Sequence, residues 1–271
     1  MKLTACTLAL FLAAGMANAG CGPLAEPCAL PGGSYHLVLP DGPGPFPAVV
    51  FVHGYGGSGE GVLKNKGMAE TLRDRGYAVI APDGQPMTDR KGRSWDFHPD
   101  QPAARDEAAF IRAVADDAAL RFALKRDRML LAGFSIGGSM VSYLACESPE
   151  AFAAYAPVGG NFWQPEPEIC AGPVRLLHTH GWTDQVVPLE GRAIDTDFVQ
   201  GDVFQALQTW RWTNGCHRIQ PDGFTSIGIF SLRRWTSCAP GGRLDFALHF
   251  GGHTVPEGWA TLALDWFEAL P

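Results

Sequence analysis

A glycine-flanked serine at the junction of an apolar run and a helix-like stretch is the feature that most restricts the fold of this chain. The apolar run spans residues 129–132, and Gly133-Phe134-Ser135-Ile136-Gly137 follows it directly. Glycines on both sides of the serine allow a tight turn in which neighbouring Cβ atoms would find no room. The pattern therefore predicts a strand, a sharp turn that holds the Ser135 hydroxyl at the carboxyl edge of a sheet, and a helix. A serine that only caps the helix is the alternative.

Strand-like and helix-like segments alternate along the rest of the chain, and several strand-like segments are continuous apolar runs such as Val49-Val50-Phe51-Val52. Such runs are typical of a parallel sheet whose two faces are both covered by helices. Because no repeat or long linker divides it, the sequence predicts one α/β domain over residues 20–271. The predicted strands are 35–39, 48–53, 78–81, 129–132, 153–157, 175–178 and 245–249. The predicted helices are 63–73, 106–124, 135–145, 191–210 and 258–270.

The N-terminal segment has the pattern of a signal peptide. Lys2 precedes a short apolar run, and Ala17-Asn18-Ala19 fits the small-x-small rule for cleavage before Gly20. The run is shorter than the roughly 20 apolar residues that cross a bilayer. We therefore expect residues 1–19 to be removed and the protein to be secreted into the periplasm or the medium. A lipoprotein acylated at Cys21 is a weaker alternative, because a branched aliphatic residue is usual three positions before such a cysteine.

Cysteine usage agrees with export. One of the seven cysteines lies in the predicted leader, and the six that follow form an even set, which is typical of disulfides in an exported protein. Closure of short loops favours the pairs Cys21–Cys28, Cys146–Cys170 and Cys216–Cys238. A metal site is the competing interpretation. Since no Cys-x-x-Cys pair or clustered Cys and His spacing supports it, we expect no metal and no cofactor.

Charge restricts the classes of partner. The formal net charge of −7 becomes −8 without the leader, which holds one lysine and no acid. An acidic chain is a poor match for nucleic acid or for an anionic membrane surface. We therefore expect neither as a partner, and we expect a monomer.

An acid and a histidine follow the serine in the chain order that one α/β architecture uses for nucleophilic catalysis. Asp184 lies in the loop after the predicted strand 175–178, and His253 follows the predicted strand 245–249 in a glycine-rich setting. A histidine that takes the serine proton, oriented by a carboxylate, makes the hydroxyl a nucleophile. We therefore expect Ser135, Asp184 and His253 to form a catalytic triad. Surface or structural roles are expected for the other acids and histidines near the site: Asp195, Asp197, Asp202, His53, His178, His180 and His217.

Backbone N–H groups that stabilise a developing oxyanion are expected from two places. One is the residue after the serine, Ile136, and the other is the loop His53-Gly54-Tyr55-Gly56-Gly57-Ser58 after an early strand. We assign Tyr55 to this role, with Gly54 and Gly56 as alternatives. A phosphate-binding loop is the rival interpretation, and it is disfavoured because the Gly-Lys-Ser/Thr ending is missing.

Taken together, these motifs resemble the secreted polyhydroxybutyrate depolymerase-like esterases, relatives of the feruloyl and acetyl xylan esterases in the α/β-hydrolase superfamily. The resemblance covers residues 45–259. It implies an α/β-hydrolase fold, a Cys216–Cys238 disulfide near the rim of the active site, and hydrolysis of short hydroxyacyl or aromatic acyl esters. The motifs that carry it are 53–58, 81–84, 106–113, 133–138, 214–216 and 251–254.

The chain also departs from this family. Residues 94–98 lack the cysteine pair that some members carry after a tryptophan, and no extra substrate-binding module follows the last predicted helix. Degradation of a crystalline polymer is therefore disfavoured. We expect a serine esterase that acts on poly(3-hydroxybutyrate)-type oligomers or polyester, with feruloyl or acetyl xylan esterase activity on plant polysaccharide as the alternative.

Tryptophans on loops beside the expected triad are candidates for the substrate cleft. These are Trp95, Trp163 and Trp182, together with Tyr55. Indole rings that are simply packed in the core are the alternative. If the rings do line the cleft, a flat aromatic acyl group such as ferulate would fit between them.

Two other classes share parts of the pattern. A prolyl-oligopeptidase-like peptidase has the same triad order, but it usually carries a large extra domain that gates peptide entry. A non-catalytic binding protein on the same fold would be expected to lack at least one of Ser135, Asp184 and His253, and all three are present.

Overall fold

A ten-stranded sheet organises the chain. The computed structural model describes residues 21–22, 26–88, 90–195 and 198–271, so the predicted leader and Asp197 lie outside the described residues. The strands are β1 (Cys28–Leu30), β2 (Gly33–Val38), β3 (Phe46–Val52), β4 (Ala78–Pro82), β5 (Gln85–Pro86), β6 (Arg93–Ser94), β7 (Leu124–Phe134), β8 (Ala154–Val158), β9 (Arg175–Gly181), β10 (Arg192–Ala193), β11 (Val199–Gln200), β12 (Gly223–Ile227), β13 (Phe230–Trp235) and β14 (Arg243–His249). The helices are α1 (Gly59–Lys64), α2 (Lys66–Asp74), α3 (Glu107–Phe122), α4 (Ile136–Glu147), α5 (Val203–Thr213) and α6 (Trp259–Glu268).

The order of strands in the large sheet is β1-β2-β4-β3-β7-β8-β9-β14-β13-β12. The six central strands, from β4 to β14, are parallel. Antiparallel strands complete both edges, with β2 and β1 on one side and β13 and β12 on the other. Two small sheets, β5 with β6 and β10 with β11, lie in the connections. The prediction of a single α/β domain with a mostly parallel sheet is confirmed.

Both faces of the sheet are covered because the central strands are apolar on both sides. In β3, Val50 and Val52 pack into a core shared with α3, α4 and α5. Val49 and Phe51 point the other way, into a core shared with α1, α2 and α6. This is the burial expected of a strand between two helical layers. None of the helices in the described ranges is long and apolar enough to span a bilayer.

The predicted helix 191–210 is wrong over its first half. Residues 192–193 and 199–200 pair as β10 and β11, and α5 begins only at Val203. Asp202 sets this start, since its carboxylate accepts hydrogen bonds from the N–H groups of Phe204 and Gln205. Asp202 is therefore a helix cap.

The predicted helix 63–73 is two helices, α1 and α2, which meet at Asn65. The Asn65 side chain accepts a hydrogen bond from the N–H of Met68 and so caps the second helix. Strands β1, β12 and β13 lie in segments for which no strand is predicted.

Three disulfides join Cys21 to Cys28, Cys146 to Cys170 and Cys216 to Cys238. The resemblance implied that the Cys216–Cys238 bridge lies near the active-site rim, and the structure contradicts this. Trp235, just before Cys238, pairs with Leu244 at the amino end of β14. The bridge therefore lies near the amino ends of the parallel strands, on the side of the molecule away from their carboxyl ends.

Candidate active site

The carboxyl ends of β7, β9 and β14 bring three predicted residues to one place. Ser135 follows β7 directly, Asp184 lies in the loop after β9, and His253 lies four residues beyond the end of β14. Because these strands are parallel and close together in the sheet, their carboxyl ends share one edge. The strand order thus assembles a serine, a carboxylate and an imidazole from distant parts of the sequence.

The turn at Ser135 is strained and depends on glycines. Ser135 has a φ of 57° and a ψ of −125°, in a region that residues with a Cβ rarely adopt. A Cβ atom on Gly133 would lie 2.5 Å from the carbonyl oxygen of Gly137, and one on Gly137 would collide with the carbonyl oxygens of Val52 and His53. These glycines are therefore required by close backbone approach, as the sequence pattern predicts.

Gly160, after β8, is a third glycine of this kind, and it lies outside the motifs recognised in the sequence. A Cβ there would collide with the carbonyl oxygen of Ser135. The sequence signal for it is the Gly159-Gly160 pair directly after an apolar strand.

A continuous hydrogen-bond chain links the three side chains. His253 Nε2 lies 2.8 Å from Ser135 Oγ, and His253 Nδ1 lies 2.7 Å from Asp184 Oδ2. A carboxylate only accepts, so Nδ1 carries the proton, and the Nε2 of the neutral ring is then free to accept the serine proton. The chain therefore has the polarity in which His253 can act as a base towards Ser135.

Asp184 is buried but is held in its charged form. Burial alone would raise the pKa of the Asp184 carboxyl, but the hydrogen bond with His253 and those from the N–H groups of Val187 and Val186 outweigh it and lower the pKa. The two backbone donors both bind Oδ1, at 2.8 Å from Val187 N and 2.9 Å from Val186 N. Oδ2 is left for His253.

The backbone N–H groups of Tyr55 and Ile136 have no acceptor among the described residues. Ile136 is the first residue of α4, where N–H groups lack a partner within the helix. The N–H of Gly56 donates to the Arg93 carbonyl oxygen at 2.9 Å, so this alternative is excluded as a free donor. Gly54 lies against Ser135, because a Cβ built on it would be 3.3 Å from the serine Cβ.

His53 organises the loop that carries Tyr55. Its Nε2 accepts a hydrogen bond from the N–H of Gly84 at 3.0 Å, and its Nδ1 lies 2.8 Å from the carbonyl oxygen of Gly54. Since Nε2 accepts, the proton of the neutral ring is on Nδ1 and is donated to Gly54. Burial lowers the pKa of His53 and thus agrees with a neutral ring.

A cavity of about 710 Å³ opens beside Ser135, Ile136 and Tyr55. Trp163 forms part of its wall and contacts two other aromatic rings edge to face, with centroids 5.3 Å from Phe97 and 5.9 Å from Phe198. Neither phenylalanine is indicated by the sequence, because nothing in the chain order shows that residues 97 and 198 both contact Trp163. Arg192, Gln200, Asp96 and His98 add polar groups to the lining.

The three predicted tryptophans have different environments. Trp95 and Trp163 line the cavity. Trp95 is nevertheless only 2 % exposed, and its Nε1 donates to the carbonyl oxygen of His53 at 2.9 Å, so it also supports the loop. Trp182 is 57 % exposed and is not among the residues that line the cavity, which corrects the expectation that it lies in the cleft.

In the part of the chain that the structure describes, no three His, Cys, Asp or Glu side chains cluster in a way that could hold a metal ion. The polar groups at the site are instead connected to one another and to the backbone. What this arrangement can do chemically is to remove a proton from Ser135 and to bind a developing negative charge with two N–H groups.

Comparisons with known proteins agree with this architecture. The acetyl xylan esterase from Aspergillus awamori superposes with a TM-score of 0.64 at 16 % identity, covering 88 % of this chain and 94 % of that one. Esterase PE8 superposes with a TM-score of 0.56 at 21 % identity, covering 88 % and 98 %. Identities this low show a shared fold alone.

Sequence identity is higher with another relative. NocK of Nocardia uniformis subsp. tsuyamanensis, a protein named as an esterase, is 30 % identical over 241 residues, which cover 81 % of this chain and 67 % of NocK. Residues 47–200 match the family described as alpha/beta hydrolase fold. The chain therefore belongs to the α/β-hydrolase family.

Proposed function

We propose that this protein is a secreted serine esterase that hydrolyses carboxylic esters through an acyl-enzyme. The observation that carries the proposal is the unbroken chain from Ser135 Oγ to His253 (2.8 Å) and from His253 to Asp184 (2.7 Å), next to a cavity large enough for a substrate. The esterase name of NocK, the relative at 30 % identity, supports the same reaction class.

The reaction begins when His253 takes the proton of Ser135 as its Oγ attacks the ester carbonyl. Asp184 holds the imidazole in the required tautomer and stabilises its charged form. The N–H groups of Tyr55 and Ile136 bind the oxyanion, and removing one such donor typically costs roughly 10²–10³ in kcat. His253 then protonates the leaving alcohol. A water, activated by the same histidine, releases the acid from Ser135.

The cavity lining supports an aromatic acyl group. Trp163, Phe97 and Phe198 pack against one another in the wall of the cavity that Ser135 also lines, and aromatic walls suit a flat ring such as that of ferulate. Short 3-hydroxybutyryl oligomers also fit a cavity of this volume, so both substrate classes are tested. An acetyl group would leave most of the cavity empty.

Secretion is proposed on two grounds. Residues 1–19 have the pattern of a cleaved leader, and the three disulfides agree with an oxidising compartment. Fractionation of cells that express the full-length chain, with the N-terminus of the exported protein read by sequencing, tests this. A protein that stays in the cytoplasm with residues 1–19 attached would contradict it.

The activity is tested with purified protein lacking residues 1–19. Initial rates are measured on methyl ferulate, on a 3-hydroxybutyrate trimer and on a peptidyl p-nitroanilide, for the wild type and for Ser135→Ala. We expect ester hydrolysis by the wild type, a loss of roughly 10⁴ or more in the variant, and no cleavage of the anilide. Equal rates for the two proteins would exclude Ser135 as the nucleophile. Preference for the anilide would indicate a peptidase.

A further inference from the structure

Two histidines on β9 form a buried pair behind the catalytic residues. His178 and His180 are 1 % and 0 % exposed, and their rings are parallel to within 6° with centroids 5.3 Å apart. His178 Nε2 lies 3.0 Å from His180 Nδ1. Phe246 packs against the His178 ring at 5.7 Å. Neither imidazole lines the cavity, so neither contacts a substrate there.

The hydrogen bonds determine which nitrogen of each ring carries the proton. His180 Nε2 lies 2.8 Å from the carbonyl oxygen of Val187, which can only accept, so Nε2 is protonated. In a neutral ring Nδ1 then accepts, and His178 Nε2 must be its donor. Burial lowers the pKa of both histidines, which agrees with two neutral rings. The pair is therefore a hydrogen-bond chain in which His178 donates to His180 and His180 donates to the carbonyl oxygen of Val187.

Val187 connects this chain to Asp184. Its carbonyl oxygen receives the hydrogen bond from His180, while its N–H donates to Asp184 Oδ1 at 2.8 Å. His180 Nε2 also lies 3.6 Å from Asp184 Oδ2, the oxygen that binds His253. The N–H of Val187 holds the Asp184 carboxylate, and the carbonyl oxygen of Val187 is itself held by the buried imidazole of His180.

We infer that His178 and His180 are positioning residues that hold the 184–187 turn, so that Oδ1 of Asp184 is occupied by backbone donors and Oδ2 is directed at His253. The role of the turn in catalysis rests on the proposed esterase function. His178 acts through His180, because it fixes the tautomer in which His180 can donate to Val187.

Loss of the chain has a consequence for the rate. A carboxylate that is free to turn stabilises the charged imidazole of the transition state less well, so kcat decreases. KM is little affected, because neither histidine lines the cavity.

The experiment compares replacements that keep or remove one donor. In His180→Gln the amide N–H can reach the position of Nε2 and still donate to Val187, whereas His180→Phe fills similar space with no donor. We expect His180→Phe to lower kcat roughly 10- to 100-fold, with KM within about twofold. His180→Gln should keep most of kcat.

The same comparison is made at His178, one hydrogen bond further from Val187, with His178→Gln and His178→Phe. It decides the outcome if His180→Phe does not fold. Phe variants that lose only melting temperature, with wild-type kcat, would overturn the inference. So would Gln variants that are impaired as much as the Phe variants.

The proposed function can fail separately. If the wild type and Ser135→Ala are equally inactive on all esters, the esterase proposal is lost. The low-field proton resonance of His253 Nδ1–H still reports the bond to Asp184. Its presence in wild type and in His180→Gln and its loss in His180→Phe would support the positioning role without activity, and its persistence in His180→Phe would overturn that role.

Discussion

The imidazole of His53 donates a hydrogen bond to the carbonyl oxygen of Gly54, the residue that follows it in the chain, across 2.8 Å. The N–H of Gly57 donates to the same oxygen at 3.0 Å. In a trans peptide the carbonyl and the next N–H point in opposite directions. Fixing the Gly54 oxygen therefore fixes the direction of the Tyr55 N–H, the proposed oxyanion donor.

Replacement of His53 should therefore affect the transition state more than substrate binding. We predict that His53→Phe lowers kcat roughly 10- to 100-fold with little change in KM. His53→Asn should lose less, because its amide N–H can occupy the place of Nδ1–H. Inhibition by a trifluoromethyl ketone, which forms an oxyanion on Ser135, should weaken by the same factor as kcat. Unchanged inhibition in His53→Phe would contradict the role.

Gly160 is predicted to be intolerant of alanine. A Cβ at this position would collide with the carbonyl oxygen of Ser135, and backbone atoms cannot move aside as a flexible side chain can. We expect Gly160→Ala to cost about 1–3 kcal/mol of unfolding free energy and to lower kcat as the serine turn shifts. Denaturant unfolding and initial rates measure the two effects.

Gly67 in α2 supplies the matched control. Its Cβ position is open: apart from its chain neighbours and the backbone of its own helix, no atom of the described residues lies within 4 Å. Gly67→Ala should leave kcat unchanged and change the unfolding free energy by less than about 0.5 kcal/mol, because the position is exposed and lies in the first turn of α2. Equal effects of the two substitutions on unfolding free energy and kcat would show that the close approach of Gly160 to Ser135 does not cause the loss.

The sequence was sufficient for the parts of the fold and site that local pattern and chain order determine. The apolar run before Ser135 predicted the central strand β7, and the glycines around it predicted the tight turn that the structure has. The order of Ser135, Asp184 and His253 along alternating strands predicted that the three would meet at one edge of the sheet. Parallel strands bring the starts of the three loops to that edge, and the loops then set the contacts between the side chains.

Features that depend on contacts between distant loops could not be predicted. Residues 192–193 and 199–200 read as the start of a helix, but they pair with each other as strands. Phe97 and Phe198 both contact Trp163 in the cavity wall although they lie on separate connections. Trp182 follows a central strand, as a cleft residue would, yet its ring is exposed outside the cavity. The strand pairing and the ring contacts join segments with no common sequence signal, and the direction of the Trp182 side chain is set by a loop rather than by the strand before it.

Trp163 and Trp182 make a matched pair for testing the cavity. Trp163→Ala removes a ring that lines the cavity, so we expect kcat/KM on methyl ferulate to fall roughly tenfold, which corresponds to about 1.4 kcal/mol. On an acetyl ester, which does not reach that wall, the change should be less than about threefold. Trp182→Ala should leave both ratios unchanged. A loss on ferulate in Trp182→Ala equal to that in Trp163→Ala would contradict the assignment of the acyl site.

Glu166, next to the cavity wall, should make stability depend on pH. The side chain is 9 % exposed, and its Oε2 has no hydrogen-bond partner among the described residues. Oε1 accepts a hydrogen bond from the N–H of Asp202 at 2.8 Å. Burial raises the pKa of Glu166 to about 7, from an ordinary value of 4.5, and the nearby Asp202 carboxylate adds to the shift.

Because the folded protein binds this proton more tightly than the unfolded chain does, the contribution to stability is fully present below pH 4.5 and is lost as pH rises through about 7. Glutamine keeps the acceptor for Asp202 and does not titrate. We therefore predict that the unfolding free energy of Glu166→Gln, relative to wild type, increases by roughly 2–3 kcal/mol between pH 4.5 and pH 8. Denaturant unfolding at several pH values measures this difference. Parallel stability curves for the two proteins would mean that Glu166 has an ordinary pKa in the folded state, and hence that solvent or a rearranged partner reaches its Oε2.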